Sequence, residues 1–300
     1  MFYRKVDKGD RISEYRLVEK LGQGGFGDVW KAEHSQIPGK YVAIKIPKNP
    51  LGLSYLKNEA LLQHRLNHPH IVKTVGLNTD DDPPYFMMEC VEGKNLRQLM
   101  KDEGILPPLY AIDVAVQVCE ALSAAHAQGI VHLDIKPENI LVEKRPSRGK
   151  AVQYFVKITD LGLGVDPRPR HSEILVSKGM RTSGAPTVAG TMFYLAPERV
   201  SGRPGDARAD LYALGVVFYE MLTGALPLGI DMPSELNPVV PRDLDVICKR
   251  ALTIDPDKRF GSASEMAAPL RRAREEFVLR QALEARPRLH GRPRPRLDCA

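Results

Sequence analysis

The chain has 300 residues, 43% of them hydrophobic and 27% charged, ordinary values for a soluble globular protein of one large domain or two packed lobes. Its net charge of +6 gives a pI near 9.1, but much of the excess sits in a Pro-rich stretch from Arg286 to Arg296. A basic tail is not a basic domain, and nucleic-acid binding is not expected.

Met1 to Asp10 is charged and has no apolar core, so no signal peptide is read there. Tyr15–Leu21 and Asp28–Glu33 are predicted strands flanking a glycine cluster, and Tyr41–Ile46 alternates like a half-buried strand. Leu62 and Leu66, on one face of a helical pattern, predict a helix over Tyr55–Leu66; strands are predicted at Ile71–Val75 and Tyr85–Val91. His64, His68 and His70 invite a metal site, but Leu66, Pro69, Ile71 and Val72 around them fit a helix end running into a strand. After Gly93 the pattern turns helical, with helices predicted at Leu109–Gln128, Asp210–Thr223, Asp243–Leu252 and Ser264–Leu283. The second is apolar nearly all round and belongs inside a core. Asp166–Thr187 and Ala285–Ala300 lack periodicity; the first is long enough for a functional loop. Cys90, Cys119, Cys248 and Cys299 show no CxxC spacing, which fits a reducing compartment. No uninterrupted apolar run reaches the roughly 18 residues of a membrane span, so a cytoplasmic protein without a transmembrane segment is expected. The expected class is α+β, a small strand-rich lobe joined near Glu92-Gly93 to a larger helical one.

Chemistry concentrates in four places. Gly22-Gln23-Gly24-Gly25-Phe26-Gly27-Asp28-Val29 has glycines that let a backbone approach phosphate oxygens, although a tight hairpin would also use them. The following Asp28-Val29-Trp30 continues as strand, which disfavours a dinucleotide fold. Lys45 ends the apolar strand Val42-Ala43-Ile44 and needs a carboxylate to hold it; Glu59 on the next helix is the candidate. His132-Leu133-Asp134-Ile135-Lys136-Pro137-Glu138-Asn139 supplies a carboxylate to orient a hydroxyl proton, a cation for a transferring phosphoryl group and an amide oxygen for a metal. Asp160, before Leu161-Gly162 at a strand end, is placed to hold Mg²⁺.

Read in order, Gly22–Val29, Lys45, Glu59, His132–Asn139, Asp160–Gly162 and Ala196-Pro197-Glu198 resemble the signature set of the protein kinase superfamily, bacterial (Hanks-type) serine/threonine kinases in particular. The resemblance covers about Tyr15 to Leu270. It implies an N-terminal extension over 1–14, a kinase domain over 15–271 with its N-lobe at 15–92 and C-lobe at 93–271, and a last helix end with basic tail over 272–300. By the same resemblance the N-lobe is an antiparallel β-rich unit with one main helix. Gly22, Gly24, Gly25, Gly27, Lys45 and Glu59 serve the phosphates of ATP, while Val29, Ala43 and Leu141 sandwich its purine. Met88 falls at the gatekeeper, and Glu89-Cys90-Val91 at the hinge. Asp134, Lys136 and Asn139 are the implied catalytic residues, with Asn139 and Asp160 holding Mg²⁺, or Mn²⁺ in its place. Asp210 braces the catalytic loop and Arg259 pairs with Glu198. The implied partners are proteins presenting Ser or Thr, with autophosphorylation within 166–191 and an acidic partner or anionic lipid for the tail left open.

Lys136, with Thr191 beside it, implies Ser/Thr rather than Tyr specificity. The alternative is a pseudokinase-like scaffold of the same fold, which would normally lack one of Lys45, Asp134, Asn139 or Asp160; all are present. Leu133 departs from the pattern, since the family usually has an arginine there to read a phosphorylated activation segment. Leu161 replaces the usual Phe and is expected to pack behind the helix bearing Glu59. The activation segment is long, and Leu226–Arg242 is short where the family usually places a further helix.

Overall fold

A computed structural model describes residues 3–23, 27–146, 152–161, 192–229 and 231–284. In the N-lobe, β1 (Arg11–Ile12), β2 (Tyr15–Gln23), β3 (Gly27–His34), β4 (Tyr41–Pro47), β5 (Thr74–Asn78) and β6 (Tyr85–Glu89) form an antiparallel sheet in the order β1-β2-β3-β4-β6-β5. Strand alternation sorts the two faces. Val42, Ile44 and Ile46 of β4 join Ile12, Leu17 and Trp30 on one face. Ala43, with Phe86 and Met88 of β6, packs on the other face against Leu56 and Ala60 of α1 (Pro50–His64). Lys45 shares the phase of Ala43 and so points to the α1 side. The sheet begins before Tyr15, because Arg11 and Ile12 pair with Arg16 and Tyr15.

The predicted helix over Tyr55–Leu66 starts five residues earlier and stops two earlier. Asn49 caps it by accepting from Gly52 N at 2.8 Å, and Pro50 occupies the first turn. The predicted strand Ile71–Val75 is also corrected, since β5 begins at Thr74. Val72 N–H donates to Ile158 O at 3.0 Å and Ile158 N–H donates to His70 O at 2.9 Å, so this run docks on the other lobe. His70 is a core histidine here, its Nδ1 at 2.8 Å from Val156 O. β6 ends at Glu89 rather than Val91, where the chain leaves for the C-lobe.

Gly93 marks the joint: a Cβ there would stand 2.2 Å from Val142 O, so no side chain fits. Beyond it β7 (Lys94–Asn95), β8 (Ile140–Pro146) and β9 (Val152–Ile158) form a small antiparallel sheet. The helices are α2 (Leu96–Glu103), α3 (Pro108–Ala127), α4 (Pro197–Val200), α5 (Ala207–Thr223), α6 (Pro233–Leu236), α7 (Arg242–Ala251) and α8 (Ala263–Glu284). Among described helices α3 alone is long and apolar enough to cross a membrane, and it is instead a core helix, packed against α5, α8 and β9. The α5 helix is buried along almost its whole length, as its apolar run predicts. Asp206 caps its start and Gly224, at φ 71°, ends it. Among the described residues of the short segment before α7, the helix is the single turn α6. Leu161 is fully buried in the C-lobe core, which also receives Leu62 of α1. The loop over Asp166–Thr187, Thr191 and the basic tail lie outside the described residues.

Candidate active site

The site lies where β4, α1, β9 and the loop Ile130–Asn139 converge. Lys45 Nζ donates to Glu59 Oε1 at 2.9 Å and Oε2 at 2.7 Å, and also to Asp160 Oδ1. One lysine therefore faces two carboxylates. Burial works against the charge of Lys45, but Asp160 and Glu59 outweigh it and raise its pKa. Burial pushes the Glu59 carboxyl up to about 7, with Lys45 pulling it down and the charge of Asp160 pushing it further up. Enclosure also pushes Asp160 up, yet Lys45 and then Lys136 hold it at about 2. The Glu59 side chain is 6% exposed and that of Asp160 35%, so Asp160 is the carboxylate open to the cleft.

The catalytic-loop residues are fixed from below. Asp210 at the start of α5 accepts from His132 N–H at 2.9 Å and Leu133 N–H at 2.7 Å, while His126 Nε2 lies 2.8 Å from the same carboxylate. His132 is fully buried, with its Nε2 at 2.9 Å from Thr159 O just before Asp160, so it braces rather than reacts. Above this, Lys136 Nζ meets both Asp134 oxygens at 3.0 and 2.8 Å. Asn139 Nδ2 donates to Asp134 O at 2.8 Å and Oδ2 at 2.9 Å. Leu133 and Asp160 have φ of 59° and 65°, the left-handed region that non-glycine residues seldom occupy, and both adjoin the reacting groups.

Val29, Ala43, Met88, Val91 and Leu141 belong to one apolar cluster that draws on both lobes. The Glu89 carboxylate is already engaged: it accepts from Lys73 N–H at 2.7 Å and pairs with Lys157 Nζ at 2.7 Å. Gly22 has open space where a Cβ would be, as a phosphate cradle requires, but Gly27 has an internal reason to be glycine. Its Cβ would lie 2.6 Å from Ile46 O. Gly24 and Gly25 lie outside the described residues.

The donor set suits Mg²⁺ or Mn²⁺. Asn139 commits its amide nitrogen to Asp134, which leaves its amide oxygen for a cation, and Asp160 is held as a carboxylate by Lys45; both would offer hard oxygen donors.

Several participants carry no local signal in the sequence. Lys157 and His126 read as ordinary surface residues. Glu220 offers one clue, a carboxylate inside the apolar run of α5, which demands a partner. That partner is Arg97, whose Nη1 reaches Glu220 Oε1 at 2.5 Å. In the C-lobe, Arg259 meets Glu198 through two bonds of 2.8 and 2.7 Å, as the resemblance implied.

The described cleft thus holds a lysine bonded to a glutamate and an aspartate, together with a second aspartate held by a lysine and an asparagine. The chain belongs to the protein kinase family: the profile described as "Protein kinase domain" matches residues 15–271. It is 35% identical over 302 residues to Pkn1, a serine/threonine-protein kinase of Myxococcus xanthus, covering 93% of this chain and 41% of that protein. It is 33% identical over 284 residues to the serine/threonine-protein kinase PknB of Mycolicibacterium smegmatis, covering 87% and 43%. The chain thus spans about two-fifths of the length of these curated relatives. The solved kinase domain of Mycobacterium tuberculosis PknI superposes with a TM-score of 0.66 at 25% identity, over 89% of this chain and 99% of that one. Rad53 in complex with AMP-PNP gives 0.62 at 25% identity, over 85% and 64%.

Proposed function

We propose that this chain is an ATP-dependent protein serine/threonine kinase, moving the γ-phosphoryl of ATP to Ser or Thr hydroxyls of protein substrates. The observation that carries the reading is Asp134, held by Lys136 and Asn139, together with the Lys45–Glu59–Asp160 cluster, whose Asp160 the charge of Lys136 also reaches. Asp134 orients the attacking hydroxyl and takes its proton. Lys136, already within 3.0 Å of Asp134, offsets charge on the transferring group. Lys45, positioned by Glu59, grips the non-transferred phosphates, and Val29, Ala43 and Leu141 hold the purine. Mg²⁺ held by Asn139 and Asp160 would supply further charge neutralisation at the phosphates. A kinase domain over 15–271, a cytoplasmic location and protein partners bearing Ser or Thr complete the proposal. Free thiols at Cys90, Cys119 and Cys248 agree with a reducing compartment.

A radiolabelled ATP assay on wild type and Asp134→Asn, followed by phosphoamino-acid analysis, tests this. Asp134→Asn should lose at least about 100-fold in transfer, the usual scale for a positioned acid–base group, and the label should sit on Ser or Thr. Equal label in both proteins, or none in wild type, would favour the scaffold reading.

Leu133 stands where an arginine would read a phosphorylated activation segment. It is buried with Ala196 and Ala209, and its own side chain offers no donor to a phosphate. We therefore propose that activity does not depend on phosphorylation read through this loop. Replacing Ser172, Ser177, Thr182, Ser183 and Thr187 together by Ala should leave most of the activity; a collapse by more than about tenfold would contradict it.

A further inference from the structure

The strands that lead into and out of the glycine-rich turn carry an ion cluster that the reaction just described leaves unused. β2 and β3 pair last at Gln23 and Asp28, with Gly22 opposite Val29 one step back. A hairpin end is ordinarily held by side chains paired across its strands. Here Gly22 and Gly27 have none to offer, Gln23 is exposed, and Leu21 falls in the irregularity between Lys20 and Gly22. The side chain left to hold this end is that of Asp28.

Both of its oxygens are engaged. Oδ2 accepts from Lys20 Nζ of β2 at 2.7 Å. Oδ1, buried and without a hydrogen bond, lies 3.3 Å from Lys48 Nζ, one residue beyond β4. One carboxylate thus ties β2, β3 and the end of β4 together. Strand alternation fixes the face. Asp28 is two residues from Trp30 and pairs with Ile46, and both of these belong to the apolar core on the face away from α1. Lys20 Nζ stands 5.7 Å from the Trp30 ring centroid, on that same face. Val29, between Asp28 and Trp30, pairs with Lys45 and joins the cluster of Ala43 and Leu141. The ion cluster therefore lies across the sheet from the proposed nucleotide and acts on it through the backbone of Gly27 and Val29.

We infer that Asp28 is a positioning residue for the phosphates of ATP: bound to Lys20 and Lys48, it clamps the stems of the glycine-rich turn from the face away from the nucleotide. This rests on the kinase reading above. A turn whose stems are held beforehand loses less freedom when nucleotide arrives, so the clamp is expressed as affinity. Its sign separates it from a simple charge effect. By Coulomb's law alone, removing an anion beside the site favours the polyanion ATP. Removing a clamp disfavours it.

The test is Asp28→Asn in the full chain, read by kcat and the KM for ATP with a general protein substrate, and by calorimetric titration with AMP-PNP and Mg²⁺. The KM for ATP and the dissociation constant of AMP-PNP should both rise about three- to tenfold, the scale of one or two partly exposed ion pairs, with kcat within about twofold. Asp28→Glu, which keeps the charge, should stay within about twofold of wild type. In Lys20→Gln with Lys48→Gln the clamp is already gone, so adding Asp28→Asn should change affinity by less than about twofold. The three side chains are 24 to 36% exposed, so these variants should fold. An unchanged or lowered KM for ATP in Asp28→Asn overturns the inference, as does a fall in kcat alone. A wild type that binds AMP-PNP but transfers no phosphoryl group sinks the kinase reading, and the calorimetric comparison then decides the clamp. A wild type that binds no nucleotide overturns both.

Discussion

Arg259 and Lys45 each meet a glutamate inside the protein, but the first meets one carboxylate and the second meets two. Arg259 is fully buried, and its charge is matched by Glu198 alone. Its remaining donors go to backbone oxygens of Thr253, Ile254 and Arg208 at 2.7, 3.0 and 3.2 Å. Nothing is left over. Lys45 faces Glu59 and Asp160 together, so the cleft carries a net negative charge before any ligand arrives. The raised Glu59 and the 35% exposure of Asp160 express the same excess. A balanced pair holds the fold; an unbalanced one leaves a carboxylate for the cation proposed above.

The sharpest way to break this comparison is Asp160→Asn. Removing the surplus carboxylate should lower transfer by at least about 100-fold. It should also abolish any Mg²⁺-dependent rise in melting temperature with an ATP analogue. Yet it should leave the fold as stable as wild type or slightly more so, because Lys45 and Glu59 then form a neutral pair. A loss of more than about 2 kcal/mol in urea unfolding would show that Asp160 is structural after all.

Arg259→Met should behave in the opposite way. It strands the buried Glu198 carboxylate, and breaking such a pair on one side costs about 3–5 kcal/mol. Equilibrium unfolding would register this directly. If Arg259→Met with Glu198→Leu recovers most of the loss, the pair is a matched structural unit. No recovery would mean that the backbone bonds of Arg259 matter more than its charge.

The same contrast explains what could be read from sequence. Buried packing was legible where one physical signal dominated: the apolar run of α5 and the alternation of β4 both marked their elements. The start of α1 was not, because Asn49, Pro50 and Gly52 interrupt the apolar pattern just where the cap begins. Ile71 and Val72 look like strand residues because they are apolar and extended. Their bonds go to β9 of the other lobe, a long-range fact that no local window contains. The α2 helix is only eight residues long, and its apolar face is just Leu96, Leu99 and Met100, too short a stretch to stand out. Chemical groups named by motif were easier to find than those that position them, since Lys157, His126 and Arg97 act on partners 41 to 123 residues away in sequence.

Asp210 lies between the two kinds of pair and sharpens the distinction most finely. It is fully buried, like Glu198, but its partners are the backbone N–H groups of His132 and Leu133 and the ring of His126. It accepts from the N–H of Leu133, the residue before Asp134, whose φ is 59°. Asp210→Asn keeps one acceptor oxygen and turns the other position into a donor facing an N–H. The expected cost is about 1–3 kcal/mol of stability, the scale of one buried group left without a partner. That is less than for Arg259→Met, because the chain is still anchored by His132 to Thr159. Activity should fall through kcat with little change in the KM for ATP, since Lys45 and the residues proposed to hold the purine are untouched. If KM for ATP rose instead, the brace would reach the N-lobe side of the cleft. The division between a part that holds and a part that binds would then be less sharp than these two ion pairs suggest.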